Sequence, residues 1–273
     1  MLTVWFRFYA TLNDFLPYRQ RRTRFVYRLR EAASVKDTIE AIGVPHPEVD
    51  LVLINGIPSR FSARLADGDR VSVFPAFSAI DLPDSLRVSG DPPRPVRFAA
   101  DIHLRKLAAF LRLAGFDAIV EHDDEALAAI GAADDRVVLT RDIALLKRSV
   151  VRYGYWLRAT DPDGQLAEVL RRFTLAGHML PFARCTRCNT PLEHVLTIAE
   201  LVSALQARSA GVPSGEFITT VGPLAANQLA ERRLPTLMEL DAVNRPVYLH
   251  AAQGGARTNS EGKAWLEAKG VAV

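Results

Sequence analysis

The 273-residue chain is 49% hydrophobic and 24% charged, which is globular composition and excludes wholesale disorder. Its formal charge of +3 is too small to predict a nucleic-acid partner by itself. No apolar run approaches a membrane span, and Trp5, Arg7 and Asn13 interrupt the N-terminal stretch where a signal peptide would need an apolar core. The expectation is a cytoplasmic protein without membrane contact, long enough for two or three domains.

Residues 1–81 read as a small α+β domain. TVWFRFYA alternates as a strand should, and FVYRLR repeats the pattern after the Arg-rich turn YRQRRTR, predicting a hairpin. Ser34 then caps a short helix, SVKDTIEAIG, with Asp37 in capping-box position and Gly43 as its stop. LVLING runs into an Asn-Gly turn, and DGDRVSVFPAF supplies the last strand. Two strands, a helix and two more strands make a β-grasp order. The cluster Arg19, Arg21, Arg22 and Arg24 could touch phosphate, or simply be a solvated hairpin tip. Residues 82–96 are rich in Pro, Gly, Ser and Asp without periodicity and read as a linker.

Residues 97–195 predict a doubly wound α/β domain with a parallel sheet. A short apolar strand ends on Asp101. From His103 on, Leu104, Leu107, Ala108 and Leu111 form one apolar helical stripe, with Arg105, Lys106 and Arg112 largely off it, and Gly115 stops the helix. FDAIVE is the second strand. Asp123 or Asp124 caps the next helix, which ends around Gly131. RVVLTRD is a continuous apolar run of the kind buried on both faces; YGYWLRAT is the fourth strand, and DPDGQLAEVLRRF the helix after it.

Asp101 and Asp142 therefore sit where strands stop, which in an open α/β sheet is the edge of the ligand crevice. Convergent carboxylates without partner bases hold hard cations such as Mg²⁺ or Mn²⁺, and such ions assist phosphodiester cleavage. Each acid also has a bland reading, Asp101 and Asp124 as helix caps and Asp161 as part of a DPDG turn. The charge pattern suits a polyanion: residues 98–142 hold 5 Lys or Arg against 9 Asp or Glu, and residues 143–196 hold 8 against 4. Arg105, Arg141, Lys147 and Arg148 are the candidate phosphate contacts.

Several stretches carry a family resemblance. RFYATLNDFLP, SVKDTIEAIGVPHPEVDLVLING and DGDRVSVFPAF resemble the ubiquitin-like β-grasp domain, akin to sulfur carriers, that precedes Mut-seven C-terminal ribonuclease domains. Sulfur carriers need a terminal Gly-Gly, whereas this strand continues into PAFSAIDLPDSL, so docking to a protein partner or guiding RNA is the expected role. FAAD, LRKLAAFLRLAGFD, DDEAL, RVVLTRD and PFARCTRCNTPL resemble the Mut-seven C-terminal family itself, a PIN-like ribonuclease group. The resemblance implies a PIN-like fold and metal-dependent RNA cleavage, with Asp101, Asp124 and Asp142 matching the family's acids and Asp161 as a fourth; Asp123 is the substitute for Asp124. Where the family has a Met-Leu-Gly type sequence after the first Asp, this chain has Ile102, His103 and Leu104.

Cys185 and Cys188 form a CxxC knuckle. A structural Zn²⁺ takes four ligands, and no second CxxC follows, so the ribbon is half present, with His178 or His194 as the remaining candidate donors. Residues 196–273 change character. LPTLMELD and RPVYLHAAQGGARTNS resemble an internal fragment of amidohydrolase family-three enzymes, but the chain has no HxH pair, so His250 is read as structural and the fragment as an incomplete, poorly packed α/β piece. No GxGxxG, Walker A, HExxH or GxSxG motif occurs. Three readings result: a divalent-metal-dependent endoribonuclease, a non-catalytic RNA-binding or adaptor protein docking through the β-grasp domain, and an inactive amidohydrolase fusion remnant.

Overall fold

Alternation of large apolar and polar residues in the first eight positions builds the strand on which the N-terminal sheet forms. The computed structural model describes residues 1–77, 82–180 and 183–195, together with the backbone of two short strands at 218–219 and 247–250. It divides into two compact units, Met1–Arg105 with Val120–Thr174, and Lys106–Ile119 with Leu175–Val273.

In the first unit, β1 (Leu2–Phe8) buries Val4, Phe6 and Phe8 and leaves Trp5 and Arg7 outside. It pairs antiparallel with β2 (Phe25–Leu29) and parallel with β5 (Arg70–Phe74). With β3 (Leu51–Ile54) and the two-residue β4 (Ile57–Pro58), the sheet order is β2-β1-β5-β3-β4. This is the ubiquitin-like mixed sheet. The Arg-rich connection is not a bare tip. Asn13, 6% exposed, donates through Nδ2 to the Phe8 and Ala10 carbonyls and accepts from the Arg22 N–H, while Arg19, Arg22 and Arg24 remain exposed.

Helix α1 (Val35–Ile42) starts as its sequence requires: the Ser34 hydroxyl accepts from the Asp37 N–H at 3.1 Å and donates to the Asp37 carboxylate at 2.6 Å. Gly43 ends it at φ +129°, a conformation that costs glycine little. Val35 and Ile39 drop into the core with Val4, Phe6, Leu12 and Val52.

The segment that composition marks as a free linker is tied down. Arg87 pairs with the buried Asp50 at 3.3 Å, Val88 N–H donates to the Asp50 carbonyl at 2.8 Å, and Ser89 Oγ donates to the Val49 carbonyl at 2.7 Å. Composition reports that no core can form there; it does not report long-range partners.

The second sheet of this unit is ordered β7-β6-β8-β9. Strands β6 (Phe98–Asp101), β8 (Val137–Thr140) and β9 (Gly154–Trp156) run parallel, with Phe98 opposite Val137 and Thr140 opposite Trp156. Burial on both faces explains the unbroken apolar text: Phe98, Ala99, Ala100, Val137, Val138 and Leu139 are all inaccessible. Strand β7 (Ala118–Glu121) contributes Val120 and Glu121 to this unit. Helix α3 (Asp124–Ala133) follows, then α4 (Ile143–Leu146) and α5 (Pro162–Arg172). Gly131 does not stop α3, as its residue type suggests. It lies inside the helix, where a Cβ would sit 2.6 Å from Val138 Cγ2, so its role is close packing on β8.

Several contacts join the two sheets of this unit. Lys147 Nζ donates to the Glu40 carbonyl at 2.8 Å, the Phe15 and Trp156 rings lie 5.1 Å apart, and Glu48, 2% exposed, accepts from the Trp156 N–H at 2.6 Å. His46 belongs to the same seam, with Nδ1 2.6 Å from Glu40 Oε1 and a further hydrogen bond to the Val151 backbone. Burial, with Lys36 adding to it, pushes its pKa below 6.5 against the pull of Glu40 and Val151. A folded pKa below the unfolded one means that the unfolded chain takes up the proton first. The His46 contribution is therefore full above pH 6.5 and declines as pH falls below that value. Urea midpoints of the wild type should fall as pH drops from 6.5 to about 5, and those of His46→Gln should fall less; parallel slopes would place the proton uptake on another group.

In the second unit, α2 (Arg105–Leu113, here from Lys106) buries Leu107, Ala108 and Leu111 as the stripe predicts. Arg112, placed off the stripe by spacing, is buried as well. Its Nε donates to the Ala118 carbonyl at 2.6 Å and its Nη1 to the Thr186 and Arg187 carbonyls at 3.1 and 2.8 Å. Gly115, at φ +95°, ends the helix where a Cβ would collide with the Leu180 carbonyl. Strands β10 (Leu192–Val195), β11 (Ile218–Thr219) and β12 (Val247–His250) form an antiparallel sheet ordered β10-β12-β11. The rest of the amidohydrolase-like stretch, and the expectation that it packs poorly, lies outside the described residues.

Candidate active site

Parallel pairing brings the acids together. Because Ala100 lies opposite Leu139, Asp101 at the end of β6 falls opposite Thr140 at the end of β8. The Thr140 hydroxyl, fully buried, donates to Asp101 Oδ2 at 3.3 Å and accepts from the Asp142 N–H at 3.0 Å. One buried hydroxyl thus links both strand ends.

A cleft of about 990 Å³ opens there. Asp101, Asp123, Asp124, Glu125 and Asp142 line it, with His103, His122, Arg141 and Arg148 around them. Asp101 and Asp142 face the same opening, which is the condition a shared cation requires.

Helix chemistry also occupies these side chains. Asp101 Oδ1 accepts from the His103 N–H at 3.0 Å, Asp123 Oδ1 from Ala126 at 2.8 Å, and Asp142 Oδ1 from Ala144 at 2.7 Å. Of the two candidates for capping α3, Asp123 is therefore the cap. Asp124 is the first residue of the helix, an exposed acid favoured at its positive end. Among the described residues, Asp123 and Asp142 each accept a hydrogen bond through one carboxylate oxygen only. Glu121 is bound to the same loop from outside the cleft: hydrogen bonds from the His122 and Asp123 N–H groups hold its carboxyl below the usual range.

The remaining sequence-selected residues divide. Arg141 and Arg148 line the cleft. Lys147 does not, because its ammonium is engaged by the Glu40 carbonyl. Asp161 caps α5 through the Gly164 N–H at 2.7 Å and is absent from the cleft wall, being placed by the strand that follows β8. Arg105 is exposed at the start of α2 and does not line the cleft. Thr140, His122 and Glu125 join the site without having been expected there. Thr140 had a signal, a hydroxyl ending an otherwise apolar strand; the other two read as ordinary loop and first-turn charges.

Among the described residues, no three His, Cys, Asp or Glu side chains are drawn together as a ready ion-holding group. The donor chemistry, hard oxygens on one cleft, nevertheless fits Mg²⁺ or Mn²⁺. In the second unit, Cys185 and Cys188 lie on a turn closed by hydrogen bonds from Cys185 N–H to the Thr190 carbonyl and from Asn189 N–H to the Cys185 carbonyl, both 2.9 Å. Asn189 takes φ +68° there. Burial raises the Cys185 pKa. At Cys188 burial works against ionisation, yet hydrogen bonds from Thr190 and from Cys185 bring the pKa below its ordinary value. Two sulfurs are half of a structural Zn²⁺ shell.

A ubiquitin-like mixed sheet ahead of a parallel-sheet domain with an acidic cleft at its strand ends defines a two-domain protein whose second domain is of α/β class. Residues 1–81 match the family described as Mut7-C ubiquitin, and residues 96–209 match the Mut7-C RNAse domain. The chain carries a Mut7-C ubiquitin domain followed by a Mut7-C RNAse domain. No curated protein and no solved structure matches it. The RNAse-domain match extends into the amidohydrolase-like text, a likeness that rests on its residues alone. Among the described residues no helix is long and apolar enough to cross a membrane.

Proposed function

We propose that the chain is a divalent-metal-dependent endoribonuclease acting on RNA phosphodiesters at the cleft between the ends of β6 and β8. The observation that carries this reading is the shared opening of Asp101, Asp124 and Asp142, supported by the Mut7-C RNAse domain match. Those three acids, with Asp123 beside them, would hold Mg²⁺ or Mn²⁺. Such an ion supplies an acidified water and positive charge near the phosphate. Thr140 orients Asp101 through its hydroxyl, the backbone caps fix the three engaged carboxylates, and Arg141 and Arg148 meet phosphate oxygens from the rim. Zinc at Cys185 and Cys188 would need two further donors.

The capping bonds of Asp101, Asp123 and Asp142 favour a second reading, a non-catalytic RNA-binding protein, in which the acids serve only helix starts. Calorimetric titration of Mn²⁺ into the full chain, paired with cleavage of labelled single-stranded and structured RNA, separates the two. Saturable Mn²⁺ binding and EDTA-sensitive cleavage are the expected outcome. RNA binding with neither would leave the adaptor reading.

A further inference from the structure

A second groove, of about 1020 Å³, runs past the end of β9 and the C-terminal turn of α5. Five arginines line it, Arg87, Arg94, Arg158, Arg171 and Arg172, against three acids, Glu48, Asp91 and Glu168. The acids are all engaged. Asp91 pairs with Arg87 at 2.5 Å; Glu48 takes the Trp156 N–H and Arg158; Glu168 accepts from the Tyr155 hydroxyl at 2.9 Å and from the Arg158 and Ala159 N–H groups. Arg87 and Arg158 are thereby neutralised.

Arg94, Arg171 and Arg172 have no ion pair within 4.0 Å among the described residues, although the Arg172 charge acts on the buried Glu48 and Asp50. Arg94 donates to the Phe173 carbonyl and Arg171 to the Ala167 carbonyl of its own helix, while Arg172 lies over the Tyr155 and Phe173 rings at 5.7 and 5.0 Å. The helix dipole accounts for cations on the last turn of α5, but not for Arg94, which comes from the segment before β6. A guanidinium stacked on rings beside two exposed ones suits a chain of phosphates.

One hydrogen bond links the strand that walls the groove to the rim of the cleft. Trp156 donates its indole N–H to the Arg141 carbonyl at 3.0 Å, Arg141 lines the acidic cleft, and Tyr155 and Arg158, on either side of Trp156, line the groove. We propose that this groove is an RNA tract that binds the sugar-phosphate backbone of the substrate. The proposal rests on RNA being the substrate and adds to it a site remote from the carboxylates.

The test is fluorescence anisotropy of a labelled oligouridylate with the full chain in EDTA, over a series of salt concentrations. For the Arg94→Ala/Arg171→Ala/Arg172→Ala variant the expected result is affinity about 10-fold weaker and a log-log salt slope shallower by about 2, since each single-strand phosphate contact contributes roughly 0.7. Arg171→Glu alone guards against misfolding, because Arg171 is exposed and among the described residues its side chain bonds only its own helix; it should lose several-fold in affinity. Wild-type affinity and slope in both variants, with unchanged melting, would overturn the tract. Arginine-dependent binding by a wild type that does not cut RNA would remove the nuclease reading and keep the tract.

Discussion

Asp142→Asn should lower RNA cleavage about 1,000-fold, the scale of several kcal/mol of lost charge stabilisation, while leaving the melting temperature almost unchanged. Asparagine caps a helix about as well as aspartate, so the bond from Ala144 N–H to Oδ1 and the start of α4 both survive. The substitution removes the negative charge and one hard anionic donor. Asp101→Asn should behave likewise, its amide oxygen still able to accept from His103. The pair thereby separates the two readings of the same carboxylates, since caps alone predict no effect. Cleavage at wild-type rates in both variants would remove the proposed site. Loss of Mn²⁺ binding in parallel with activity would tie the two together.

The second large effect is expected far from the acids in sequence. Glu48→Ala should destabilise the chain by about 2–4 kcal/mol, below the full range for a broken buried pair because Arg158 keeps two other partners. Glu48 Oε1 accepts from the Trp156 N–H, and Oε2 lies 3.5 Å from Arg158 Nη2. Arg158 retains Asp14 at 2.9 Å and Glu168 at 3.7 Å, whereas the Trp156 N–H would lose its acceptor. Glu48→Gln keeps that acceptor and should recover most of the loss in urea denaturation.

Burial pushes the Glu48 pKa above 4.5, against the pull of Arg158 and the Trp156 N–H. With the folded value raised, its ionisation-linked stability is full below pH 4.5 and is lost as pH rises through the folded value. The Gln variant should therefore gain on the wild type as pH increases. Because Trp156 also donates to the Arg141 carbonyl on the cleft rim, Glu48→Ala should reduce cleavage as well, where Gln should not. Equal urea midpoints for all three proteins would show that the seam contributes no stability.

Much of this was legible from local text. Apolar runs ending on Asp101 and at Thr140 predict parallel strands buried on both faces, and such strands align their ends by hydrogen-bond register, so acids at those ends converge. Ser34 with Asp37, and the acids before α3 and α5, predict helix starts because a cap is an interaction over three residues, whereas the short α4 after Asp142 was not expected. Other roles were not legible. Spacing placed Arg112 outside the core, but the Ala118 carbonyl of β7 and the Thr186 and Arg187 carbonyls of a later turn reward its burial. Gly131 reads as a stop and is a packing position against β8.

By itself the sequence determined the kinds of element, their order, the β-grasp and parallel-sheet classes and the placing of acids at strand ends, because periodicity, caps and turn residues act over a few positions. Only the tertiary structure decided which oxygens face a common cleft, that Thr140 joins Asp101 to Asp142, and that Glu48 reaches Trp156 and Arg158 across more than a hundred residues. The reason is physical. A charged residue carries no local mark of its partner: whether it stays in water or is buried depends on which distant group the fold sets within hydrogen-bond reach.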